Sequence, residues 1–129
     1  MADNFRILLV SRSRKVLDDL AGALQGQAGI DVEPQLAVNG HVDPLHGSRT
    51  VPDAVVLHLG ERWREELAAL IQRPQDQRPP LIVLGPAADM NVMRLAMQAG
   101  ARDYLPEPFV PADLVEAVAR TVRDRQAAA

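Results

Sequence analysis

Apolar residues along this chain follow two patterns: short, near-continuous runs, and single positions recurring at helical spacing. Phe5 to Val10, Ala54 to Leu59 and Leu81 to Leu84 are the runs. They are too short for helices and have the pattern of strands covered on both faces. Gly85-Pro86 closes the third run. Ile30 to Val38 is weaker and is interrupted by Pro34, so it predicts an edge strand. Arg102 to Leu105 predicts a fifth strand, ending at Pro106.

Between the runs the spacing becomes helical. Ser13 can cap a helix whose inward stripe is Val16, Leu17, Leu20 and Leu24, ending near Gly26 or Gly29. A helix from Glu61 to Arg73 turns Trp63, Leu67, Leu70 and Ile71 inward and stops at Pro74. Asp89 offers an N-cap to a helix carrying Val92, Leu95, Ala96 and Ala99, and Gly100 stands where a C′ residue belongs. The last helix has Pro111 in its first turn and buries Leu114, Ala117, Val118, Thr121 and Val122. Residues 40 to 51 hold Gly40, Pro44, Gly47 and Ser48, leaving room for a helix of one or two turns at most.

Strands alternating with helices across short connections form right-handed parallel crossovers. Five of each predict an α/β fold, a doubly wound five-stranded parallel sheet in three α/β/α layers, for which the flavodoxin-like order 2-1-3-4-5 is one of the common arrangements. Ligands in such a sheet sit at the carboxyl ends of the strands, where the strand order reverses.

Composition sharpens this only a little. The 129 residues, 47% of them apolar, suit one domain with a real core. Net charge is −3 with both signs interspersed, which gives no electrostatic case for nucleic acid. The chain has no cysteine, so disulfide and thiolate chemistry are excluded, in keeping with a reducing cytoplasm. No apolar run approaches a membrane span, so direct membrane insertion is not expected. Neither GxxxxGK(S/T) nor GxGxxG occurs, and nucleotide binding has no support. No cofactor and no metal site are expected.

Three segments carry a family resemblance. AMQAGARDYLPEPF (residues 96–109) resembles the AMEAGADDYLTKPF signature that ends the receiver (CheY-like) domain of response regulators. PDAVVLHLG (52–60) resembles the PDLVLLDLxMP segment, and RILLVSRSR (6–14) the ILIVDDD opening. Together they span nearly the whole chain in the family's order. The resemblance implies an acidic pair after the first strand to bind magnesium and a phosphoryl-accepting Asp at the end of the third. It also implies a Thr or Ser ending the fourth strand and a Lys after the fifth.

At those positions this sequence has Ser11 and Arg12, His58, Gly85 and Glu107. Magnesium wants hard oxygen ligands, and Arg12 puts a permanent cation where one should stand. His58 cannot form the acyl phosphate of an Asp, Gly85 has no hydroxyl, and Glu107 repels an anion that Lys would attract. The site is therefore expected not to be phosphorylated, and the chain not to be an enzyme. Arg12 and Glu107 exchange the usual signs; either they pair across the crevice, or each faces water. His58 is expected to be a hydrogen-bonded structural residue, with phosphohistidine or metal ligation as alternatives. His41 and His46 lie in another loop without ligand spacing. The resemblance also implies a cis peptide before Pro108.

Met90, Met93 and Met97 make a second stripe on the helix after Asp89. They either widen the core face or form an exposed patch for association, the reading preferred here. In receivers this helix, the next strand and the last helix form the common dimerisation and output face, and Tyr104 matches its mobile aromatic position. Protein partners, including a second copy of the chain, are expected.

A closer resemblance links SRSRKVLDDLAGAL (11–24) and MRLAMQAGARDYLPEPFVPADLVEAVAR (93–120) to the N-terminal atypical receiver of TadZ/CpaE-type pilus assembly proteins. In that family the receiver precedes a ParA/MinD-like ATPase domain, and the protein localises pilus secretion machinery at the cell pole. The resemblance implies a cytoplasmic interaction, dimerisation and localisation module, either excised from a longer protein or free-standing. Two alternatives stand beside it: a stand-alone degenerate response regulator, and a sensor binding a small ligand in the vacated crevice.

Overall fold

Every predicted strand forms, and all five pair in parallel. The computed structural model describes residues 4–37, 44–45 and 51–128, without the side chains of 126 and 128. In chain order the elements are β1 (Phe5–Ser11), α1 (Arg14–Leu24), β2 (Ile30–Leu36), β3 (Ala54–His58), α2 (Trp63–Ile71), β4 (Leu81–Gly85), α3 (Met90–Gln98), β5 (Ala101–Pro106) and α4 (Pro111–Ala128). A short 3-10 turn, Gln75–Gln77, lies between α2 and β4. The sheet order is β2-β1-β3-β4-β5, with β2 and its Pro34 at one edge. The short helix expected within 40–51 falls outside the described residues, apart from a turn at Pro44 and Leu45.

The helix ends follow local chemistry. Ser13 Oγ accepts the Val16 N–H at 3.3 Å, and Asp89 Oδ1 accepts those of Asn91 and Val92 at 3.1 and 3.3 Å. Gly100 takes φ +94° just past the end of α3, a conformation that suits a residue without Cβ. The helix predicted from Glu61 to Arg73 is shorter, Trp63–Ile71. Arg78 folds back to donate to the carbonyls of Ile71 and Arg73 where the helix stops.

Successive strand side chains point to opposite faces of the sheet, so each buried strand supplies two cores. Leu8, Val10, Val55, Leu57, Leu81 and Val83 pack beneath α2 and α3. Ile7, Leu9, Ala54, Val56, Ile82 and Leu84 pack beneath α1 and α4. That two-fold alternation continues past the last hydrophobic residue of each strand. It sorts the side chains at the carboxyl edge.

Candidate functional site

Parallel register brings the ends of four strands together: Val10 is level with Leu57, His58 with Leu84, and Gly85 with Pro106. Ser11 and His58 share the parity of Ile7, Leu9, Ala54 and Val56, and so lie on the α1/α4 side. Arg12 and Gly85 share the parity of Leu8, Val10, Leu81 and Val83, and so lie on the α2/α3 side. The five positions singled out in the sequence therefore form three local groups rather than one cluster.

The first group is a hydrogen-bonded chain from two strand ends to the loop after β5. Ser11 Oγ, 1% exposed as a residue, accepts the Ser13 N–H at 3.0 Å and lies 2.9 Å from His58 Nδ1. His58 Nε2 lies 2.7 Å from Glu107 Oε1. A carboxylate has no proton to give, so Nε2 carries the hydrogen; in the neutral imidazole Nδ1 then accepts from the Ser11 hydroxyl. Every member then has a directional partner, and the chain ties β1, β3 and the loop after β5 together. Glu107 is held from its backbone as well, its N–H donating to Gly85 O at 2.9 Å, and the Glu107–Pro108 peptide is cis. The buried Ser11 hydroxyl is no nucleophile open to a substrate, although the trio has the composition of a hydrolytic triad.

The second group corrects an expectation. Arg12 does not pair with Glu107. Its Nε lies 3.9 Å from Glu66 Oε2 on α2, and its Nη1 is 3.4 Å from the Ala37 carbonyl after β2. The reason is strand parity: Arg12 emerges on the face of the sheet opposite His58, and His58 has already drawn Glu107 to its own side. Arg12 reaches instead from α2 to the backbone just after β2. Burial pushes the Glu66 carboxyl above its ordinary range, while Arg12 and a hydrogen bond from the Gly60 backbone pull the other way.

The third group explains Gly85. A Cβ at this position would stand 2.5 Å from the Tyr104 hydroxyl and 3.1 Å from Leu59 Cδ1. The tyrosine fills the space a side chain at position 85 would need, and its hydroxyl donates to Pro86 O at 2.7 Å. Burial, with Asp89 and Glu107 nearby, raises its pKa.

Glu66 was missed by sequence reasoning, although the signal was present. It stands three residues after Trp63 and one before Leu67, inside the inward stripe of α2. The partnership of Ser11 with His58 was legible only from strand parity. Among the described residues, no group of three or more His, Cys, Asp or Glu could hold a metal ion. His41 and His46 lie outside those residues.

The stripe on α3 is exposed: Met90 73%, Met97 61% and Met93 39%, while Val92 and Ala96 of the same helix are fully buried. These methionines are a surface rather than an extension of the core.

No family model matches the chain. The transcriptional regulatory protein PrrA of Mycobacterium leprae is 31% identical over 125 residues, which is 96% of this chain but 52% of PrrA. The chain thus spans about half the length of that relative. Among solved structures, a CheY-like response regulator receiver domain from Methanospirillum hungatei superposes with TM-score 0.77 at 20% identity, covering 98% of this chain and 100% of that one. The chain has the receiver-domain fold. A structure from Burkholderia thailandensis described as a pilus assembly protein, CpaE, superposes with TM-score 0.74 at 21% identity, covering 92% of this chain and 98% of that one. Receiver domains and a CpaE protein thus share this architecture with the present receiver-like chain. Among the described residues, no helix is long and apolar enough to cross a membrane.

Proposed function

We propose that this chain is a receiver-type interaction module that works without phosphoryl transfer, and that it serves dimerisation and localisation in pilus assembly. One observation carries the reading: each position where the receiver signature calls for phosphorylation chemistry is committed to a fixed local partner. Ser11 and Glu107 hold His58, Glu66 stands 3.9 Å from Arg12 Nε as its counter-charge, and Tyr104 fills the space beside Gly85. Phosphoryl transfer needs charge neutralisation around the moving group. Here the imidazole occupies the acceptor position and a carboxylate stands 2.7 Å from it.

With that chemistry absent, association is left to the surface. Met90, Met93 and Met97 offer adaptable apolar area on α3, next to β5 and Tyr104, and a second copy of the chain is the expected occupant. The likeness to a CpaE structure supports the pilus assignment. A stand-alone degenerate response regulator is the second reading; the identity to PrrA favours its response-regulator part. An adjoining coding segment with an ATPase signature would separate the two.

Sedimentation velocity tests the interface. The parent chain is expected to self-associate and the Met93→Glu/Met97→Glu double variant to be a folded monomer, because charge in an apolar interface is costly to desolvate. A variant sedimenting like the parent would place the interface elsewhere. An unfolded variant would show that these exposed side chains support the fold.

A further inference from the structure

Beside the Ser11–His58–Glu107 chain, on the α1/α4 side of the sheet, lies a cavity of about 270 Å³ lined by Val16, Asp19, His58, Leu84, Glu107, Pro108 and Phe109. This volume is below the ~300–1,000 Å³ of sites for drug-sized ligands and suits one long side chain. Val16, Leu84, Pro108 and Phe109 make the walls apolar. The polar groups are one-sided. Both ring nitrogens of His58 are engaged, one by Ser11 and one by Glu107. What faces an incoming group is therefore the carboxylates of Glu107 and Asp19, and carboxylates only accept.

From this we infer that the cavity takes the side chain of a lysine or arginine presented by a partner protein, an inference that rests on reading the chain as an interaction module. The apolar walls suit the aliphatic stem of such a side chain, and the two carboxylates suit its cationic head. The molecule already shows the same chemistry at the rim, where Lys15 Nζ donates to Asp19 Oδ2 at 3.0 Å. An anion meets two carboxylates and no lining side chain with a hydrogen free to donate; Lys15 stands at the rim, already bonded to Asp19. A crevice suited in ordinary receivers to a phosphoryl group has become one suited to a cation.

The test is a titration of the full chain followed by amide shifts in nitrogen–proton NMR spectra. The probes are Nα-acetyl-lysine methylamide, its norleucine counterpart as the uncharged control, and inorganic phosphate as the anion. The lysine probe is expected to move the signals of Val16, Asp19, His58, Glu107 and Phe109 saturably, with norleucine and phosphate leaving them in place. Glu107→Gln keeps a carbonyl to accept the His58 Nε2–H, and Asp19→Asn keeps the shape of the rim. Together they should weaken the lysine probe by ~10-fold, the worth of about 1.4 kcal/mol. Equal shifts with norleucine would make the cavity merely apolar, and shifts with phosphate alone would reverse its charge preference; either result overturns the inference. So would an absence of shifts. Sedimentation of the Met93→Glu/Met97→Glu variant reads a different surface, so failure of one experiment is distinguishable from failure of the other.

Discussion

His58 Nε2 donates to Glu107 Oε1 across 2.7 Å, joining the end of β3 to the loop after β5. In the receiver signature these two positions hold an acid and a base, an Asp and a Lys. Here a base and an acid stand in the same order along the chain, and they meet directly without a phosphoryl group between them. Relative to that signature the two signs are exchanged, and the pair joins one strand end to the loop after another.

Restoring the acceptor should not restore phosphorylation. His58→Asp, treated with acetyl phosphate and magnesium, is expected to give no phosphoryl adduct by mass spectrometry, with a competent receiver as control. The new carboxylate would face Glu107, and Arg12 would remain engaged with Glu66 on the other face. A like-charge penalty of even ~1–3 kcal/mol slows the reaction by about one to two powers of ten. A stoichiometric adduct on residue 58 would overturn the assignment of the site as inactive.

Ser11 should matter to stability out of proportion to its size. Ser11→Ala leaves the Ser13 N–H and His58 Nδ1 without their shared partner in a buried position. The expected cost is about 1–3 kcal/mol, read as a lower midpoint in urea unfolding. An unchanged midpoint would mean that water replaces the hydroxyl without loss.

Gly85 and Tyr104 should behave as a coupled pair. Gly85→Ala puts a methyl group 2.5 Å from the tyrosine hydroxyl and is expected to destabilise by about 1–3 kcal/mol. Tyr104→Leu removes the obstructing hydroxyl, so Gly85→Ala should cost clearly less in that background. A double-mutant cycle measures the difference, and additive effects would show that the backbone, not the ring, gives way.

Glu66 should make the protein less stable as pH rises. Its folded pKa is raised by burial above the unfolded value, so the native state holds the proton more tightly. The penalty for ionising it is absent below the unfolded pKa and fully present once pH has risen through the folded pKa. Relative to the parent, Glu66→Gln is therefore expected to gain stability as pH rises from the ordinary Glu pKa of ~4.3 through the raised folded value, with little difference at the acid end. Denaturant unfolding of both proteins at several pH values checks this. A difference independent of pH would mean that Arg12 fully compensates the buried charge.

Much of the molecule was legible in its sequence for a simple physical reason. Near-continuous apolar runs suit strands covered on both faces, and a helix between successive strands favours a parallel, right-handed crossover. Ser13 and Asp89 marked helix starts because their side chains serve backbone N–H groups a few residues away, which is local chemistry. The identities at the crevice, Ser11, Arg12, His58, Gly85 and Glu107, were likewise read directly from the chain.

Only tertiary structure decided which of those residues meet. Arg12 and Glu107 carry opposite charges at one edge of the sheet, and charge alone suggested a pair. Pleating instead sends Arg12 to the α2 face, where a buried Glu66 awaits it, and leaves Glu107 to His58 on the α1 face. Gly85 gives no sequence signal of the tyrosine ring beside it, because that contact joins two strands through register. Sequence by itself determined the layers and the chemical groups. Pairing among those groups depended on which face of the sheet each one occupies.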